Sequence, residues 1–132
     1  MEWQDIYIDG YNRVPEYLGR ILDGLSKEDL QWQPAPDSNS IAWLGWHLVR
    51  QHDAQVAELM GTEQIWITAG WASRFNRPAD PGDTGFGHTP EQVAAFKAPA
   101  NQVFIDYLTV SYTHLRAHET VLDLVCRLLL EK

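Results

Sequence analysis

The octapeptide THLRAHET places His114 and His118 four residues apart, a spacing that turns both imidazoles to one face of a helix. With a third histidine from elsewhere, such a pair is how a helical bundle builds a metal centre. Three neutral imidazoles hold Zn²⁺ and leave the fourth tetrahedral position to water or substrate. The remaining histidines are His47, His52 and His88. His47 lies in SNSIAWLGWHLVRQHD, at the shoulder of an apolar stripe and next to Trp43 and Leu44 in space. Taken alone, a histidine in that setting is more often half-packed against tryptophan at a core edge than bound to metal. His52 points toward the stripe, which suits burial. His88 precedes a helix cap and is expected to pack there.

Other catalytic signatures are missing from the chain. It has no glycine-rich phosphate loop, no CxxC pair and no serine-nucleophile motif. DPGDTG carries acids and glycines but not the alternating oxygen ligands and terminal Glu of a calcium loop, and is expected to be a turn.

The elements that would position these histidines are helical. Residues 2–25 carry Tyr7, Tyr11, Val14, Leu18, Ile21, Leu22 and Leu25 at three- and four-residue steps, one face of an amphipathic helix. Pro15 is expected to kink that helix or to open a second segment. Ser26 with Asp29 marks the cap of a short turn, and QPAPDSNS is a loop. A second long helix starts after Asn39 or Ser40 and runs to about Met60, stopped by Gly61, with Ile41, Leu44, Leu48, Val56 and Leu59 as its expected buried stripe. Residues 65–88 show no period and read as one long ordered loop anchored by Trp66, Trp71 and Phe75. HTPEQVAAF opens a third helix with Thr89 as N-cap, Pro90 at the first position and Gln92 closing a capping box. Pro99 interrupts it. A fourth helix from about Ala100 carries Val103, Phe104, Tyr107 and Leu108, with the period continuing through Leu115, Leu122, Val125 and Leu129. The class is all-α, a helical bundle.

Bulk properties narrow the function. A chain of 132 residues is one domain's worth, and 45% apolar residues with six tryptophans suit a globular fold. The acidic start MEWQDIYIDG is not a signal peptide, and no apolar run is long enough to cross a bilayer. A single cysteine, Cys126, excludes an internal disulfide and suits a reducing cytoplasm. The formal charge of −8 disfavours nucleic acid and anionic membrane as partners. From Val110 onward Arg116, Arg127 and Lys132 balance Glu119, Asp123 and Glu131, so the whole excess of acid lies upstream.

SNSIAWLGWHLVRQHD, LSKEDLQWQPAPDSNS before it and GWASRFNRPADPGDTGFGHTPEQVAA after it carry a resemblance. Residues 3–109 resemble the DinB-like superfamily, in particular a small actinobacterial-type branch of unassigned function. The resemblance implies a four-helix bundle with a metal site facing a central cavity. The wider superfamily includes thiol-dependent transferases and isomerases, among them mycothiol-dependent maleylpyruvate isomerase. It places a metal-ligating histidine on the second helix, at the position of His47, and draws two more from later in the bundle. The implied cofactors are a divalent metal, Zn or Ni, and a low-molecular-weight thiol such as mycothiol. A metal-bound thiol loses its proton and becomes a nucleophile near neutral pH. The ligand imidazole also needs a partner for its other ring nitrogen. Asp53 matches the family segment too, but six positions along the helix leaves its support of His47 open. The implied activity is a metal-dependent thiol transferase or isomerase with a small-molecule substrate, in a bacterial cytoplasm, and the protein is expected to pair as a homodimer through its bundle faces. The alternative is a metal-free bundle that binds a small ligand or a protein.

SYTHLRAHETVLDLVCRLLLEK does not resemble the continuation of that branch. Residues 111–132 resemble a translated sequencing-adapter artefact, in which an open reading frame runs on into adapter DNA, and the charge balance shifts at the same point. Three readings of the His114/His118 pair follow: a foreign tail, which the string match favours; a structural amphipathic helix; and a native metal pair that completes a three-histidine site with His47. On the first, residues 1–110 are a C-terminally truncated DinB-like bundle, inactive as it stands, and 111–132 a non-native helical tail.

Overall fold

The computed structural model describes residues 2–116, which contain seven helices and no strand. The all-α expectation holds. Three long helices, α1 (Trp3–Leu22), α3 (Ile41–Met60) and α7 (Asn101–Arg116), make the body, with α7 packed on both α1 and α3. The rest are short: α2 (Lys27–Gln31), α4 (Ile65–Thr68), α5 (Trp71–Arg74) and α6 (Pro90–Ala95).

Local capping sets most boundaries. The Ser26 hydroxyl accepts from the Asp29 amide at 3.1 Å while the Asp29 carboxylate accepts from the Ser26 amide at 3.0 Å. Ser40 starts α3 by accepting from the Trp43 amide at 3.1 Å, and Gly61 ends it in the left-handed region at φ 65°. Thr89 and Gln92 form the expected reciprocal box, at 3.3 and 2.8 Å. Asn101 donates to the Leu22 carbonyl at 2.9 Å, joining the start of α7 to the end of α1.

Four expectations are corrected. First, α1 continues as one helix through Pro15, so no second segment opens there. Second, the segment 65–88 contains α4 and α5 instead of being all loop. Third, the helix opened by Thr89 ends at Ala95, so the third main helix is under two turns long. Fourth, the buried side of α3 is rotated from the expected stripe. Of that stripe Val56 is buried as expected, but Leu44, Leu48 and Leu59 are exposed, whereas Trp43, Trp46, Val49, Arg50, Asp53 and Ala57 are buried. Arg50 and Asp53 lie off the expected stripe, but a cation and an anion that satisfy each other can be enclosed, and large rings then fill the space around them. The α1 stripe is likewise only partly covered: Leu22 is buried, while Tyr7 and Ile21 are exposed.

The core is aromatic. Trp46, Trp66, Trp71, Phe75, Phe96, Phe104 and Tyr107 pack between α3, α7 and the 65–96 segment, with Tyr107 stacked 5.0 Å from Trp71 and Phe75 edge-on to Phe104 at 5.2 Å. None of the described helices is long and apolar enough to cross a membrane.

Candidate functional site

Trp43, His47 and Arg50 stand at i, i+4 and i+7 on α3, one stripe along its side. Each donates a hydrogen bond to the segment 81–88, which runs back over that stripe. The Trp43 indole N–H donates to His88 Nδ1 at 3.1 Å, His47 Nδ1 lies 2.5 Å from the Thr84 carbonyl, and Arg50 Nε donates to the Asp83 carbonyl at 2.9 Å. The segment is a strap held at three points by donors one helical turn apart.

These partners decide the tautomers. A carbonyl can only accept, so His47 carries its proton on Nδ1 and keeps the lone pair on Nε2. An indole N–H can only donate, so His88 has its lone pair on Nδ1 and its proton on Nε2 in the neutral ring. Burial, and then the nearby Arg77 cation, pull the His88 pKa below its ordinary value. The His47 ring lies flat on Trp43, with centroids 4.6 Å apart and planes 17° apart. His88 leans over Trp46 at 5.9 Å.

Gly85 is what lets the strap come so close. A Cβ there would stand 2.9 Å from the Trp46 ring, 3.0 Å from His47 Nδ1 and 3.0 Å from the Trp43 ring, and its φ of +88° is one that side chains resist. Arg77 closes the strap on itself with two bonds to Asp83, 2.6 and 2.8 Å, and lays its guanidinium over Trp46 at 4.6 Å. DPGDTG is thus the turn expected of it, and its Asp83 and Thr84 supply the anchors.

Asp53 does not support His47. Its carboxylate accepts from the Ile65 and Trp66 amides at 3.0 and 2.8 Å, opening α4, and from the Tyr107 hydroxyl at 2.6 Å. Arg50, fully enclosed, meets Asp53, Tyr107, Gln64 and the Pro81 and Asp83 carbonyls, enough acceptors for all five of its N–H groups. This network fastens the strap's far end and raises the Tyr107 pKa, chiefly by burial.

The other histidines go elsewhere. His52 is buried as expected, bonded through Nδ1 to the Ser111 hydroxyl at 2.6 Å and stacked on Tyr112 at 4.1 Å. It borders a groove of about 530 Å³ between α1 and α3, lined by Ile6, Tyr11, Val14, Leu48 and Tyr112 among others. His114 is half-buried on α7, and His118 lies outside the described residues. Among the described residues, no group of three or more His, Cys, Asp or Glu side chains is placed to hold a metal ion. The bond that joins His88 to Trp43, the ring on which His47 lies, is not legible in the sequence; the one local hint is GFG, two glycines bracketing a phenylalanine that is 86% exposed beside the site.

The geometry can be set beside known proteins. A family model described as the DinB superfamily matches residues 11–118. A crystal structure of a conserved protein from Enterococcus faecalis is similar at a TM-score of 0.77 and 26% identity, over 93% of this chain and 71% of that one. A search of the curated proteins found no match. With most of its length matched by that family model and its helices arranged as in that structure, the chain belongs to the DinB superfamily.

Proposed function

We propose that His47 is the working group of this protein, and that it serves a thiol-dependent transfer or isomerisation in the cytoplasm with a divalent metal, Zn or Ni, and a thiol such as mycothiol. The observation that carries the reading is the bond from His47 Nδ1 to the Thr84 carbonyl. Ligand imidazoles are commonly held this way: one nitrogen donates to a carbonyl, which orients the ring and makes the other nitrogen a better donor to metal. His47 fits a metal as one ligand. The described residues do not complete a donor set around it. Without metal, the same Nε2 lone pair is free to draw the proton from a thiol S–H, on a ring held in place by Trp43.

A second reading, a metal-free module that binds a small ligand, is favoured by the groove of about 530 Å³ between α1 and α3. Metal content separates the two. Protein purified from cells supplied with Zn²⁺ and Ni²⁺ is expected to carry metal that the His47→Ala variant loses. Equal, near-zero occupancy in both would leave the ligand-binding module as the better account.

A further inference from the structure

We infer that His88 is a positioning residue for His47, acting through the Trp43 indole. This rests on His47 being the working group and adds the device that aims it. Four tryptophans are buried side by side in this protein, Trp43, Trp46, Trp66 and Trp71. The indole nitrogens of Trp46, Trp66 and Trp71 are buried with no hydrogen-bond partner, whereas that of Trp43 donates to His88 Nδ1 at 3.1 Å. The fold thus tolerates free indole N–H groups in its core and fastens the one whose ring carries His47.

The geometry explains why that ring matters. His47 lies on the face of Trp43 with planes only 17° apart, so any swing of the indole about its side-chain torsions carries the imidazole with it or breaks the stack. Such a swing would also pull His47 Nδ1 from the Thr84 carbonyl, the contact that keeps the lone pair on Nε2. His88 prevents it from the opposite end of the strap. Its own ring is steadied by Trp46, 5.9 Å away with planes 23° apart. His88 thus acts on the working imidazole through the ring of Trp43, and holds it in one orientation and one tautomer.

Nitrogen-15 NMR of the histidine rings in the full chain tests this without metal or substrate. In the wild-type protein, His47 is expected to show the Nδ1–H tautomer and His88 the Nε2–H tautomer, and the Trp43 indole proton to exchange slowly with solvent. A His88 ring protonated on Nδ1 would break the link at its source and overturn the inference before any variant is made. His88→Phe keeps a ring but removes the acceptor, and is expected to shift the His47 ring nitrogens toward a mixture of tautomers and to speed exchange at Trp43. His88→Asn returns an acceptor oxygen near the same place and is expected to restore both signatures. His47 resonances unchanged in His88→Phe, or unrestored in His88→Asn, would also overturn it. Absence of metal on His47 would sink the functional reading while leaving these ring signatures in place, so the two fail separately.

Discussion

A methyl group on Gly85 would stand 3.0 Å from Nδ1 of His47. The neighbours it would strike are ring atoms of Trp43, Trp46 and His47, which cannot fold aside as the end of a lysine could. Gly85→Ala should therefore combine a left-handed backbone with overpacking and lose about 2–5 kcal/mol. Gly87 is also left-handed, at φ +76°, but an added Cβ there meets nothing within 4 Å. Gly87→Ala should lose only about 1–2 kcal/mol. Urea unfolding of the two variants checks the pair, and equal losses would show that the strap is not wedged as described.

Among the described residues Asp53 is the only carboxylate bonded to the enclosed Arg50, and it also opens α4. Asp53→Ala would leave a buried guanidinium without its counter-charge and should cost about 3–5 kcal/mol of stability. Tyr107→Phe removes one donor to that carboxylate, at 2.6 Å, and should cost about 1.5–3 kcal/mol. Thermal unfolding of both variants gives the order, and a Tyr107→Phe loss equal to that of Asp53→Ala would be the contrary result.

His52 makes stability fall in acid. Burial lowers its pKa from 6.5 to about 4, so between those values the unfolded chain binds a proton that the folded one refuses. The stabilisation is whole above pH 6.5, declines as pH drops and is gone by about pH 4, a change of up to about 3 kcal/mol. The groups facing the ring, Tyr11, Tyr112 and Ser111, carry no charge in that window. His52→Phe keeps a ring against Tyr112 and should flatten this part of the pH profile, measured as the difference in unfolding free energy from wild type. An unchanged slope would mean that His52 protonates in the fold.

The likeness of residues 111–132 to translated adapter DNA makes its own prediction: sequencing the locus should fail to find those codons in continuous genomic DNA. Unbroken coding across 110 and 111 would return His114 and His118 to the candidates for partnering His47. Of that segment the structure describes residues 111–116. α7 passes 110 without a break, and Ser111, Tyr112 and Leu115 are buried. An apolar face in phase with the preceding helix is enough for that, whatever its source.

What the sequence determined by itself was set by neighbours a few residues apart. The caps at Ser26, Ser40 and Thr89, the stop at Gly61, the all-α class and the turn at DPGDTG are of that kind, because a side chain three residues from an amide reaches it whatever the rest of the chain does. The rotated face of α3 needed the tertiary structure, since Arg50 and Asp53 are legible as buried only once Tyr107 and the Pro81 and Asp83 carbonyls are known to surround them. The site depended on it most. Its bonds join residues 45, 37 and 33 positions apart, and no periodicity records which acceptor a distant loop will lay against which turn of a helix. The family resemblance makes His47 a candidate; only the folded strap, by bringing a carbonyl to Nδ1 and a second imidazole to Trp43, decided which nitrogen it keeps free.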